Sequence, residues 1–132
     1  MKLIDKVAYI YIKDGKILST RSKGKDKYYI PGGKREGNES DIETLVREIK
    51  EELSVDIIES TAKLYGIFEA QAHGKAEGVI VKMTCYTADY SGELKADSEI
   101  AEIVWLTTAD IEDISPVDKL IFADLNKKGL LV

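Results

Sequence analysis

Residues 33–53 read Gly33-Lys34-Arg35-Glu36-Gly37-Asn38-Glu39-Ser40-Asp41-Ile42-Glu43-Thr44-Leu45-Val46-Arg47-Glu48-Ile49-Lys50-Glu51-Glu52-Leu53. Ile42, Leu45, Val46, Ile49 and Leu53 recur at helical spacing, which predicts a helix over 40–53 with one apolar stripe. Ser40 and Glu43 match a capping box, in which each side chain satisfies an orphan N–H at the helix start. At about 100° per residue, Glu48, Glu51 and Glu52 fall within an arc of roughly 100°. Leu45 lies beside Glu52 on the helix wheel, so the three carboxylates flank the buried stripe and do not stand opposite it in open solvent.

Like charges one turn apart repel, and the cost rises next to a core, where the local dielectric is lower. Glu51 and Glu52 also occupy the last turn, at the negative end of the helix dipole. A divalent cation removes the conflict, because Mg²⁺ or Mn²⁺ takes hard oxygen ligands and converging carboxylates supply them. The bland alternative is a solvated acidic face on which Arg47 pairs with Glu43 or Glu51 across one turn. Pro31-Gly32-Gly33 shifts the balance. Glycines let backbone approach a ligand, backbone carbonyls also bind hard metals, and a loop entering a helix N-terminus offers N–H groups to an anion.

Outward from this segment, Val7–Ile12 and Lys16–Arg21 read as strands joined by an Asp14-Gly15 hairpin turn. Ser22–Lys27 is a basic loop, and Tyr28–Ile30 reads as a short strand stopped by Pro31. Further strand-like stretches cover roughly 57–68, 78–90 and 100–106, with Gly74 and Gly78 in the turn between the first two. Thr107 or Thr108 caps a short helical turn over 109–113. A last helix starts at Ser115-Pro116, with Asp118 in its first turn, and ends at Lys127-Lys128-Gly129. Strands and helices mix without regular alternation, so the fold class is α/β in the α+β sense: a mixed sheet with helices packed on it.

The chain has 132 residues with no repeat or linker-like stretch, which suits a single domain, 1–132. Nineteen basic against twenty-four acidic residues give a net charge of −5. That disfavours generic nucleic-acid or membrane-surface binding, although metal would still let an acidic protein take phosphates. One cysteine, Cys85, excludes an internal disulfide and a thiolate zinc cluster, and one histidine, His73, excludes a site needing two. Asp5 interrupts any signal-peptide apolar stretch, and no apolar run approaches the ~20 residues of a membrane helix. The expectation is a reduced, cytoplasmic protein.

The segment also resembles the Nudix box, G-x5-E-x7-R-E-U-x-E-E-x-G-U, where U is a bulky aliphatic residue. Gly33, Glu39, Arg47, Glu48, Ile49, Glu51, Glu52 and Val55 fall in register, so the box covers 33–55. The late glycine is replaced by Ser54. The glycine common before the box glutamate is replaced by Asn38, which tolerates left-handed backbone, and a common small alanine by Thr44. If position 54 is left-handed, Ser54 costs ~1 kcal/mol there. The hairpin, Pro31-Gly32 and Trp105-Leu106 extend the likeness over most of the chain. Calcium-loop and P-loop spacings are absent.

The resemblance implies a Nudix fold, a mixed β-sheet sandwiched between helices, and hydrolysis of a nucleoside diphosphate linked to another moiety. It implies that Glu48, Glu51 and Glu52, with the Gly33 carbonyl, hold Mg²⁺ or Mn²⁺, and that Arg47 orients a glutamate. It leaves the general base open between the box and a distant loop. Asp97, Glu99 and Glu102 are near enough in sequence to serve, and Glu99 is the favoured extra ligand or base; Glu36 also comes into consideration as a metal ligand. Arg21, Lys23, Lys25 and Lys27 flank the glycine loop and Lys34 follows it, as candidate phosphate contacts against the reading of a solvated basic loop. Tyr28 and Phe68 are candidate stacking partners for a base, His73 a candidate at the pocket mouth, and Trp105 and Cys85 core residues. The short chain favours a small nucleoside triphosphate, as in housecleaning members, and family analogy favours a homodimer. The rival readings are a Nudix-like domain that senses a nucleotide without cleaving it, and a structural domain with a solvated acidic helix.

Overall fold

The computed structural model describes residues 2–72 and 74–132. In chain order it contains β1 (Lys2–Ile10), β2 (Ile12–Lys13), β3 (Lys16–Ser22), β4 (Gly32–Lys34), α1 (Asp41–Leu53), β5 (Asp56–Ile57), β6 (Lys63–Gln71), β7 (Val79–Thr87), β8 (Tyr90–Ser91), β9 (Ile100–Leu106) and α2 (Pro116–Lys127), with 3-10 turns at Glu59–Thr61 and Thr108–Asp113. One sheet runs β4-β1-β7-β6, with β1 and β7 parallel and the outer pairs antiparallel. A second, antiparallel sheet runs β2-β3-β9, and β5 pairs with β8. No helix among the described residues is long and apolar enough to cross a membrane.

The apolar run in β1 is continuous because both faces of the strand are buried. Ala8 and Ile10 join a core cluster with Val117, Ile121, Phe122 and Leu125 of α2. Val7 and Tyr9 point the other way, into a cluster with Leu45, Ile49 and Leu53 of α1. This is the mixed sheet between helices that the Nudix resemblance implies. The apolar stripe of α1 is the set of residues that packs, and the capping box forms, with Glu43 N donating to Ser40 Oγ at 3.1 Å and Ser40 N to Glu43 Oε1 at 2.9 Å. Asp14 and Gly15 both take positive φ, 55° and 76°, as a two-residue hairpin turn requires.

Several boundaries differ from the expectations. The strand expected over 7–12 divides at Tyr11, where the chain passes from one sheet to the other. Tyr28 and Tyr29 make only isolated bridges, to Ile114 and Thr20. Gly32–Lys34, expected only to stop a strand, forms β4 against β1. That approach needs Gly32: its φ is 145°, and a Cβ there would run into the Val7 carbonyl. The stretches over 57–68 and 78–90 are each interrupted. Thr61 Oγ1 donates to Ile58 O at 2.6 Å and accepts from Asp89 N at 2.8 Å, and such local side-chain bonds compete with the ladder.

Candidate active site

A cleft of about 490 Å³ opens between the end of α1, β4, β1 and the start of α2. Its size and mixed lining suit a small molecule. Ala8, Ile30, Val81, Met83 and Val117 give it an apolar floor, and Glu48, Glu52 and Glu99 give it an acidic side.

Two glycines bring α1 to this edge. The missing side chain of Gly33 leaves the space that the Glu48 carboxylate occupies. The Gly32 amide donates to Glu52 Oε1 at 3.3 Å. Arg47 then fixes the turn. Its Nε and Nη2 donate to the two Glu39 oxygens at 2.7 and 2.9 Å, a bidentate fork. Its Nη1 donates to Glu48 Oε1 at 2.9 Å, and Nη2 also donates to the Lys34 carbonyl at 3.0 Å. Glu51 and Glu36 stand slightly farther from the guanidinium, at 3.5 and 3.4 Å. Glu39 further accepts from the Glu36 amide and the Thr44 hydroxyl, and with Arg47 foremost these donors hold its carboxyl down at about 2.

The three helix carboxylates differ in exposure. Glu52 is only 6% exposed. Burial pushes its carboxyl up to about 8, with the Glu48 and Glu99 charges adding to the effect and the Gly32 amide and Lys6 opposing it. Glu48 is raised for the same first reason and restrained by Arg47. Glu51 is half exposed and does not line the cleft. Among the described residues no three acid, thiol or imidazole side chains are gathered closely enough to enclose an ion. The donor chemistry nevertheless fits a divalent cation. The Glu48 carboxylate sits at Gly33 and the Glu52 carboxylate at the Gly32 amide, both hard oxygen donors, and Glu52 has no cationic partner at ion-pair distance among the described residues.

A family profile described as the NUDIX domain matches residues 4–125. This chain belongs to the Nudix family. It is 36% identical over 110 residues to the CTP pyrophosphohydrolase of Escherichia coli (strain K12), covering 80% of this chain and 76% of that one. The solution structure of the E. coli ORF135 protein superposes with a TM-score of 0.68 at 30% identity, over 96% of this chain and 92% of that one. The MutT protein from Methanosarcina mazei Go1 superposes with a TM-score of 0.78, over 97% of this chain and 96% of that one; at 19% identity this shows the fold alone. The chain is therefore a Nudix hydrolase. Membership supports pyrophosphohydrolase activity on small nucleotide derivatives, and Nudix hydrolases generally use divalent metals.

Within this Nudix domain the expected residues separate into two groups. Gly33, Lys34, Glu48, Glu52 and Glu99 line the cleft, and Lys25 joins them. Arg21, Lys23 and Tyr28 do not line it. Arg21 Nε on β3 pairs with Glu102 at 3.2 Å, and Tyr28, beyond that strand, packs on the core beside Ile114, while Tyr29 takes the cleft wall. Phe68 stacks on Tyr65 at 6.3 Å, while Trp105 packs on the second core cluster and Cys85 is buried in the first. His73 lies outside the described residues. The box departures also resolve. Gly37, with φ 53°, takes the left-handed turn assigned to Asn38, because glycine was already available one residue earlier. Ser54 is left-handed, at φ 64° and ψ 22°, and its hydroxyl donates to Lys95 O at 3.1 Å. Lys6 was missed as a cleft residue, and so was the buried Asp118 whose charge reaches it. Asp118 read as a first-turn helix acid, and Lys6 fell in the stretch before the recognisable strand; a lysine between apolar neighbours at strand spacing was the available signal.

Proposed function

We infer that this chain hydrolyses a diphosphate linkage in a nucleoside triphosphate or another nucleoside diphosphate derivative, with Mg²⁺ or Mn²⁺ as cofactor. The observation that carries this is Glu52: a buried carboxylate on the wall of a nucleotide-sized cleft, beside Glu48, with no cation paired to it among the described residues. Glu48, Glu51 and Glu52, with the Gly33 carbonyl, would hold the metal. When bound, the metal neutralises the diphosphate oxygens and makes a bound water more acidic. Arg47 positions Glu48 through its 2.9 Å bond and is itself held by Glu39. Glu99, whose charge reaches both Glu48 and Glu52, accepts a proton from the attacking water. Lys34 takes a phosphate oxygen at the cleft wall.

The similarity to a CTP pyrophosphohydrolase makes a pyrimidine nucleoside triphosphate the first substrate to try. The same reading gives a single Nudix domain over 1–132, acting in the cytoplasm as a homodimer without generic nucleic-acid binding. A panel of nucleoside triphosphates, nucleotide sugars and dinucleoside polyphosphates, assayed for released phosphate and pyrophosphate with and without Mg²⁺, tests it. Metal-dependent turnover of at least one nucleotide, lost in Glu52→Gln, is expected. Metal-independent turnover, or none on any nucleotide, refutes the reading.

A further inference from the structure

Ile4, Lys6 and Ala8 alternate along one face of β1 and line the cleft. The cross-strand neighbours of Lys6 are Lys34 on β4 and Met83 on β7, both also on the cleft wall. Lys6 is half-buried among core residues, and its ammonium makes no hydrogen bond or ion pair with any described residue. A partly desolvated cation without a partner is destabilising unless something completes it.

The charges that act on Lys6 are Asp118, Lys34, Glu52 and Glu48, and Asp118 outweighs both helix glutamates. Asp118 stands at the start of α2. Asp118 is fully buried there, with Oδ2 accepting from the Ile30 amide at 3.0 Å. Beside Lys6 the cleft floor is apolar, formed by Ala8, Val81, Met83 and Val117. A flat, largely apolar group seated on this floor would meet hydrogen-bond donors at Lys6 and would be favoured by carrying an acceptor oxygen at its edge.

We propose that Lys6 is a specificity-determining residue whose ammonium donates to a ring carbonyl oxygen of the nucleobase seated on the apolar floor, so that the cleft selects carbonyl-bearing bases over adenine. This rests on the nucleotide-hydrolase reading above. A phosphate contact by Lys6 is the competing arrangement. It would weaken all nucleotides equally, since every nucleotide carries the same phosphates and adenine alone of the common bases has no ring carbonyl.

The test uses the full chain, with CMP and AMP as probes in calorimetric titrations, and CTP and ATP as probes in turnover assays. The wild-type protein should bind CMP at least ten times more tightly than AMP. Lys6→Met keeps the length and apolar stem of the side chain and removes the donor. It should weaken CMP by about 10- to 100-fold, the range of a charge-assisted hydrogen bond, while AMP changes less than threefold. KM for CTP should rise by a similar factor with kcat nearly unchanged. Lys6→Arg, which keeps charge and donors, should retain the CMP preference, and thermal melts check that both variants fold. Equal weakening of CMP and AMP, no weakening of either, or a wild-type preference for AMP overturns the assignment and leaves the hydrolase reading standing. Failure of the wild-type protein to bind or cleave any nucleotide overturns both.

Discussion

Asp118 offers the sharpest physical test of the fold around the cleft. Its carboxyl is fully buried, and burial pushes it up to about 7 from an ordinary value near 3.8, against the opposing effects of the Ile30 amide, Lys6 and Ser115. The sign follows from linkage. A carboxyl whose folded pKa lies above its unfolded value binds its proton more tightly in the native state, so stability falls as pH rises between the two values. Each pH unit in that window costs about 1.4 kcal/mol. Full ionisation therefore forfeits on the order of 4 kcal/mol by about pH 7, a large share of the 5–15 kcal/mol typical of a domain.

Asp118→Asn removes the titration and keeps the shape. The amide oxygen still accepts from the Ile30 N–H, which holds Asp118 Oδ2 at 3.0 Å. The new N–H₂ group takes the place of Asp118 Oδ1, on the side of the Ser115 hydroxyl, which can accept from it. Urea unfolding at pH 4.5, 6, 7 and 8 reads the difference directly. Near pH 4.5 the two proteins should be within about 1 kcal/mol of each other, because the wild-type carboxyl is protonated when folded. By pH 8 the variant should be more stable by about 2–4 kcal/mol. Glu39, Asp41 and Asp124, whose carboxyls are lowered, titrate in the opposite sense in both proteins and cancel in the comparison. Parallel pH profiles for the two proteins, or a variant less stable at every pH, would show that Asp118 is not held in a desolvated pocket.

Glu52→Gln should lower turnover by orders of magnitude, raise the metal-free melting temperature by replacing a carboxyl that burial makes costly to ionise, and abolish the stabilisation produced by Mg²⁺; an undiminished Mg²⁺ shift in differential scanning calorimetry would contradict the ligand assignment. Gly33→Ala places a Cβ where the Glu48 carboxylate sits and should cut turnover at least tenfold; wild-type kinetics in that variant would mean that Glu48 is free to stand elsewhere. Ser54→Gly relieves a left-handed serine worth ~1 kcal/mol. It also loses an exposed hydroxyl bond worth about 0.5 kcal/mol, so the melting temperature should rise by about 2 °C. A lower melting temperature would show that the hydroxyl bond to Lys95 O outweighs the strain.

Much of the architecture is legible locally. The helix over 40–53 follows from five apolar residues at helical spacing and a Ser-Glu capping pair, and α1 realises both. The Asp-Gly hairpin and the Pro-initiated α2 are legible for the same reason: their determinants lie within a few residues. Pairings that depend on distant partners are not. Nothing in Gly32-Gly33-Lys34 announces a strand until β1 is beside it, since glycine has low β-propensity and becomes useful only where another backbone must come close. The site divides in the same way. Glu48 and Glu52 are readable because one helical turn brings them together. Lys6 and Asp118 are 112 positions apart in the chain, and the charge of one reaches the other only because β1 and α2 pack into the same core. The outward turn of Arg21 depends on its pairing with Glu102 across β3 and β9.

The charge arrangement around Arg47 favours the proposed metal site over a merely solvated acidic face. Glu36, Glu39, Glu48 and Glu51 all lie within ion-pair distance of this one guanidinium, so its charge is shared among four carboxylates. Glu39 takes the bidentate fork, which leaves one donor for Glu48 and a long contact for Glu51. Glu52 has none of it. A solvated acidic helix would relax this crowding by turning its acids outward, where water screens them at little cost. Here the packing forbids that for Glu52, because Leu53 and Ile49 must face the core and Glu52 follows them inward beside Gly32. The apolar stripe therefore forces a carboxylate to the cleft wall with only a backbone amide to satisfy it. A cation supplied with the substrate is the simplest counter-charge. The same constraint makes charge neutralisation at Glu52, by Gln or by a bound ion, the perturbation to which both stability and turnover should respond most strongly.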